Sequence, residues 1–398
     1  MSGTRAKSKR ARDETCVDVG NEPPVVNDPA EWAARRDAKL NLQPEPGYFA
    51  MYSSATDAIT TKVSLMHIPI DDHAIVRGHA VFDTCSLCEG RLYRLKIHLE
   101  RLFSSAQKAR IPLPWGECEA TNRAKMVAII KATARASGLQ TGDVRYWLTA
   151  GSGNLGVTPT GCVSNFYVLT FGGLPMDPRW AIEGIPEVSV PSKIVGLKPA
   201  MLAELKSNVR ARTPSGHSLC LSPAPVLHAQ SCCDHAPQPC CLLCHTQNYM
   251  LNALTMMAAR DRGGTFGIGV DADDFILESC VLNVVVVGSD QILRTPPFKQ
   301  LLNGCTVRRV MDLAKEHLVP RGLIRGVRQD RRLSLIECYH ATEVFLCAGD
   351  THLYACTTLD SHPIGHSKPG PVMMALRALL DADALEGNEE DHEGLDAD

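Results

Sequence analysis

The sequence predicts an α+β fold, a mixed α/β architecture, and two observations carry that expectation. Strand-like and helix-like segments are interleaved without the strict strand–helix–strand alternation of a doubly wound sheet. Runs with a period of two, such as 81–87, stand beside 3.6-period stripes such as Leu99, Leu102, Phe103 and Ala106. At 398 residues the chain has room for two domains of roughly 150 residues each, with tails. A hydrophobic share of 44% against 21% charged is enough to bury a sizeable core. The net charge of −3 offers no basic field, so neither nucleic acid nor an anionic membrane is an expected partner. No apolar run approaches the roughly 18 residues of a membrane-spanning helix.

The elements follow in chain order. Residues 1–48 are polar, and the basic run at 7–12 is followed at once by Asp13 and Glu14, so a disordered tail is expected. Residues 60–70 read as extended chain. The run 81–87, the turn Glu89-Gly90 and 91–95 read as a hairpin. Helices are expected over 96–109 and 123–136, and strands at 144–149 and 165–171. Gly172-Gly173-Leu174-Pro175 punctuates the chain, which places a small N-terminal domain at 49–172, a linker at 173–185 and a larger domain at 186–385. In the second half, Met250, Ala253, Leu254 and Met257 make a helical stripe that stops at Gly263-Gly264. Strands are expected at 266–270, 275–277 and 284–287, with helices starting near Thr306 and running across 333–344. Residues 386–398 hold seven acidic residues and no Lys or Arg, which reads as a solvated tail.

The segment 209–247 fits none of this. It holds six of the 16 cysteines, with five prolines, four histidines and only three charged residues. The other ten cysteines are scattered, as reduced intracellular thiols are. Cys232, Cys233, Cys240, Cys241, Cys244 and His245 have ligand-like spacing but no second knuckle, so no metal site is expected. Gly151-Ser152-Gly153-Asn154-Leu155-Gly156 matches a dinucleotide fingerprint in letters only. Val157-Thr158-Pro159 follows where a helix should open, and a loop is expected instead.

Lys206, Glu278 and the helix start at Gly304-Cys305-Thr306 are each unremarkable alone. In order, with neighbouring motifs, they resemble the fold-type IV pyridoxal-phosphate enzymes. The motifs are Arg77-Gly78-His79-Ala80-Val81-Phe82-Asp83-Thr84, His98-Leu99-Glu100-Arg101-Leu102, Arg145-Tyr146-Trp147-Leu148, Leu205-Lys206-Ser207-Asn208 and the stretch from Glu278 to Asn283. The sequence is most similar to the branched-chain-aminotransferase-like and D-amino acid transaminase proteins of plants and algae, over residues 49–385 apart from 209–247.

The resemblance implies a two-domain transaminase with pyridoxal 5′-phosphate between the domains, working as a homodimer on an amino acid and a 2-oxo acid. It implies that Lys206 bonds to the cofactor aldehyde and moves the proton. Glu278 is implied to face the pyridine nitrogen and Arg101 the phosphate, joined by the backbone of Cys305 and Thr306. Ser279 and Asn283 are implied cofactor contacts, and Phe82 and Arg145 line the substrate side. Three positions depart from the bacterial D-specific pattern: Ala150 replaces an Arg, Phe82 replaces a Tyr, and Asp350 enters the phosphate-side loop. An aminodeoxychorismate lyase of the same fold, and a non-catalytic relative or one catalytically impaired by the insertion at 209–247, remain the alternatives. A cytoplasmic residence is expected, with the plastid as the alternative.

Joining Asn208 to Asn248 restores Lys206-Ser207-Asn208-Asn248-Tyr249, the run that relatives carry without interruption. The segment begins with Val, whose codons start GT, and ends with Gln, one of whose codons ends AG. A retained intron is therefore the expected origin of 209–247, with a genuine Cys/His lobe as the alternative. Tryptic mass spectrometry of the native protein decides this. Excision yields a peptide running from Ser207-Asn208 directly into Asn248 and on to Arg260, whereas translation of the segment yields Thr213 to Arg260.

Overall fold

The computed structural model describes residues 23–40, 47–173, 176–196, 249–298, 301–349, 351–388 and 391–395. Lys206 and the whole of 209–247 lie outside them. Contacts divide the chain into 1–43 and 44–398. Within the first unit, α1 (Pro29–Leu40) occupies part of the expected tail. Asp28 Oδ1 accepts from Ala30 N at 3.0 Å and Glu31 pairs with Arg35 one turn on, which is enough local support to start a helix.

In the second unit the chain enters through β1 (Tyr48–Ser53) and β2 (Ala58–Thr60). The expected extended segment 60–70 instead contains a 3-10 turn at Val63–Leu65. After the short α2 (His73–Val76) come β3 (Ala80–Cys88) and β4 (Arg91–Tyr93), the hairpin read from the sequence. Then follow α3 (Leu95–Lys108), α4 (Glu119–Ser137), β5 (Gly142–Ser152) and β6 (Val163–Phe171). Alternation decides which side chains are buried. Val81, Cys85 and Leu87 of β3 and Val144, Tyr146 and Leu148 of β5 pack on Leu99 and Leu102 of α3 and Met126 and Ile130 of α4. Phe82 and Thr84 of β3 and Arg145 and Trp147 of β5 face the other way.

The glycine motif lies in the β5–β6 connection, and its loop is held by Arg77, which donates to the carbonyls of Leu155 and Gly156. Gly151 has φ +93°, and a Cβ there would sit 1.7 Å from the carbonyl oxygen of Val163. That glycine serves the close strand crossing, not a nucleotide.

The second half begins with α5 (Arg179–Glu183), β7 (Ile185–Glu187), β8 (Ser189–Pro191) and α6 (Ser192–Val195). It resumes with α7 (Met250–Arg260), β9 (Ile268–Val270), β10 (Ile276–Ser279), β11 (Asn283–Val287) and β12 (Ile292–Arg294). Next come α8 (Cys305–Leu313), β13 (Gly326–Arg328), α9 (Leu335–Tyr339) and β14 (Glu343–Ala348). The chain closes with β15 (His352–Leu359), β16 (His362–Pro363), α10 (Pro371–Glu386) and β17 (His392–Gly394).

The helix expected across 333–344 is short. Ser334 and Glu337 form a capping box that starts α9, but from Glu343 the chain is β14, paired with β11 on one side and β15 on the other. Phe345 is buried against α8 and α10 on one face of that sheet, while Val344 and Leu346 are buried on the other. A strand buried on both faces loses its alternation and cannot be told from a helix by pattern.

The expected acidic tail also departs from expectation. β17 adds to the outer edge of the first sheet, with His392 opposite Tyr93 and Gly394 opposite Arg91. The complete order of that sheet is β17-β4-β3-β5-β6-β1-β2. Among the described residues no helix is long and apolar enough to cross a membrane.

Glu187 is 1% exposed at the end of β7, where its carboxylate accepts from Gly267 N at 2.7 Å and Phe266 N at 3.0 Å. Burial outweighs those donors and raises its pKa to about 7. The folded state thus favours the neutral acid. Its stabilisation is complete below the ordinary value of 4.5 and is lost as pH rises through about 7. Glu187→Gln should flatten this component, which is bounded by about 3 kcal/mol. Urea midpoints at pH 5 and pH 8 check it: the wild type should lose more stability between them than the variant.

Candidate active site

β3 and β5 supply one wall of a cavity of about 520 Å³. Their register puts Phe82 opposite Trp147 and Thr84 opposite Arg145, all four on the face turned away from the α3–α4 core. Arg145 Nε donates to Thr84 Oγ1 at 2.9 Å. Its guanidinium lies 5.6 Å from the Phe82 ring centroid and 5.4 Å from that of Phe171. Burial lowers the pKa of Arg145, so the surroundings compensate its charge incompletely.

Asp83 lies between Phe82 and Thr84 and points the opposite way, into the protein. It is fully buried, and its carboxylate accepts from Arg101 Nε and Nη2, each at 2.7 Å. His98 Nδ1 lies 3.0 Å from the same carboxylate. Arg101 and His98 are one turn apart on α3, so one helix face delivers both to one acid. Burial opposes the charge on Arg101, yet the Asp83 carboxylate outweighs it and holds the guanidinium firmly protonated. The Nη1 of Arg101 reaches the carbonyl of Asn303 at 3.4 Å, and Arg101 lines the cavity.

The facing wall is the start of α8. Gly304 is the N-cap and makes no side-chain cap, so the first amides of the helix, at Cys305 and Thr306, begin at the cavity wall. A Cβ on Gly304 would sit 2.0 Å from Asn283 Oδ1. Asn283 Nδ2 in turn donates to the carbonyl of Leu302 at 3.1 Å. Asn283 therefore shapes the loop that aims the helix start. Burial pushes the Cys305 thiol up, but His98 and Arg101 overcome it and the net shift is downward. The Arg101 guanidinium and the start of α8, which no side chain caps, line the same cavity, and together they make an anion seat.

Glu278 and Ser279 line a smaller cavity of about 120 Å³ beside α7, with Asn252, Thr255 and Leu301. Glu278 Oε2 accepts from Leu302 N at 3.1 Å, so the same loop joins the two cavities. Ser279 Oγ is buried and has no hydrogen-bond partner among the described residues.

The structure thus brings Phe82, Arg101, Arg145, Asn283, Cys305 and Thr306 to one cavity and puts Glu278 and Ser279 in its neighbour. Lys206 and Asp350 are not among the described residues. Thr351 does not line the cavity, whose wall there is Ala348, Gly349 and His352. Tyr249, Asp83 and His98 were not singled out from sequence. Tyr249 lies edge-on to Phe82 with ring centroids 5.4 Å apart, and burial followed by the Glu278 carboxylate raises its pKa. The run rejoining Asn208 to Asn248 pointed at Tyr249; nothing local pointed at Asp83, whose role depends on a helix twelve residues or more away.

The Amino-transferase class IV family matches residues 80–206 and 221–358, and the break follows Lys206 directly. The D-amino-acid transaminase, chloroplastic, of Arabidopsis thaliana is 32% identical over 341 residues, covering 85% of this chain and 78% of that protein. The fold is similar to the branched-chain amino acid aminotransferase of Escherichia coli, with TM-score 0.67, 20% identity and coverage of 88% and 100%. It is also similar to a hypothetical aminotransferase from Mycobacterium tuberculosis in its PLP-bound form, with TM-score 0.61, 19% identity and coverage of 85% and 100%. With the family matched over more than half its length and the anion seat in place, the chain belongs to the class IV aminotransferases.

Proposed function

We propose that this protein is a pyridoxal 5′-phosphate-dependent transaminase that moves an amino group between an amino acid and a 2-oxo acid. The observation that carries the reading is the anion seat: the Asp83–Arg101 fork beside the uncapped amides of Cys305 and Thr306. That donor set fits a phosphate. Glu278 fits a pyridinium nitrogen, and the unpartnered Ser279 Oγ offers a further ring contact. When bound, the cofactor supplies a ring that accepts the electron pair left as the substrate Cα–H bond breaks.

The remaining chemistry belongs to this chain. Lys206 Nζ takes the Cα proton and returns it, a role that rests on the family motif. Glu278 would face the ring nitrogen and hold a proton there. Arg145, an incompletely compensated cation on the wall opposite the seat's loop, reads a substrate carboxylate, while Phe82 and Trp147 exclude water around it. The substrate is of the branched-chain or D-amino acid type, as the names of the relatives suggest. Its partner is a second copy: Leu155 and Val157 in the β5–β6 connection, Val163 at the start of β6 and Ile70, whose neighbour Asp71 accepts from Gly153 N, are exposed apolar residues. A cytoplasmic enzyme is the reading of the sequence, and the chloroplastic relative favours the plastid alternative.

A panel of D- and L-amino donors against 2-oxo acids, run beside an aminodeoxychorismate assay, tests the reaction. Transamination that disappears in Lys206→Ala, along with the cofactor's bound absorbance, is the expected result. Pyruvate release from aminodeoxychorismate without transamination would assign the lyase, and absence of both activities and of cofactor binding would leave a non-catalytic relative. Arg145→Ala should raise KM for the carboxylate substrates about thirtyfold, or ~2 kcal/mol, with a smaller change in kcat. Sedimentation of the protein reads the proposed dimer.

A further inference from the structure

The C-terminal segment contacts residues next to both helices of the anion seat: Tyr93 and Arg94 before α3, and Arg309 on α8. Asp383, buried in the last turn of α10, accepts from Arg309 Nε at 2.9 Å, and its two oxygens also accept from Arg309 Nη2 and from the hydroxyl of Tyr93. Arg309 stands one turn beyond Cys305 on α8. Tyr93 ends β4, and the next residue, Arg94, is the left-handed N-cap of α3, the helix that carries His98 and Arg101. One carboxylate therefore joins α8 to the strand that leads directly into α3.

The segment after Asp383 reinforces the junction. His392 Nε2 lies 3.1 Å from the Asp383 carbonyl, and its ring is 5.4 Å from that of Tyr93. The Arg94 amide donates to the Asp391 carbonyl at 2.5 Å, and Arg94 Nε lies 3.4 Å from the Asp391 carboxylate. These contacts surround the start of α3 on the side away from the cavity.

On the reading that Arg101 and the α8 amides seat a phosphate, we propose that Asp383 is a positioning residue for it. The carboxylate holds the starts of α3 and α8 in register, so that Arg101 and the amides of Cys305 and Thr306 converge on one anion. The sign of its effect separates positioning from charge. A negative charge near an anion site repels the anion, so simple electrostatics has Asp383→Asn binding phosphate equally well or better. Positioning has it binding worse, because displacements of about 1 Å at such sites are costly.

The experiment titrates the full-length chain and the variants Asp383→Asn, Asp383→Ala and Tyr93→Phe with pyridoxal 5′-phosphate and with pyridoxal, which lacks the phosphate. Amide hydrogen exchange is followed in parallel. Asp383→Ala should weaken pyridoxal 5′-phosphate about tenfold and leave pyridoxal unchanged. Asp383→Asn and Tyr93→Phe, each keeping part of the junction, should fall between. Exchange should quicken in 308–313 and 98–108 and stay unchanged in 119–137. A folded Asp383→Ala with the wild-type ratio of the two affinities, or with unaltered exchange in both helices, overturns the positioning role. If the wild type binds neither compound, the transaminase reading fails instead, and exchange in the two helices alone decides whether Asp383 joins them.

Discussion

The site is organised by one buried carboxylate. Asp83 has no exposure to solvent, and its charge is tolerable only because Arg101 meets both oxygens and His98 adds a third contact. The pairing fixes the side chain of Arg101 on the cavity wall without consuming the whole guanidinium. It also ties the first sheet to α3, so the geometry of the seat follows from the packing of β3 against that helix. A lysine at 101 could not make the fork, because a single ammonium lacks the planar pair of donors.

The opposite half of the seat depends on a loop that serves two cavities. The Leu302 carbonyl accepts from Asn283 and its amide donates to Glu278, and Gly304 lets Asn283 approach closely enough to shape the turn. Glu278 in the smaller cavity and the helix start at Cys305 and Thr306 in the larger one are thereby tied to the same loop. The helix start needs no side-chain cap, since its amides are directed at the cavity.

Another surface of the cavity differs in character. Phe82, Trp147 and Arg145 form an aromatic wall with one cation in it, held by Thr84 and flanked by two rings. Ala150 stands where the bacterial D-specific pattern has an arginine, so the positive charge on this wall comes from Arg145.

Local pattern in the sequence determined a large part of this. The hairpin of β3 and β4, the amphipathic α3 and α4, the strands β5 and β6 and the stripe of α7 all follow from periodicity and turn residues, because each buries one face on its own sheet or helix. The ordered motifs located Arg101, Asn283, Cys305, Thr306, Phe82 and Arg145, which converge on one cavity, and Glu278 and Ser279, which line its neighbour. Only the tertiary structure decided the rest. Glu343 to Ala348 became a strand through pairing with partners far along the chain, which outweighs a locally ambiguous apolar run. The acidic residues of 386–398 read as a solvated tail, yet the fold brings Arg94 to Asp391 and pairs His392 with Tyr93. Charge composition registers how many acids a segment has, whereas their partners are chosen by long-range packing, which one sequence read along its length does not contain.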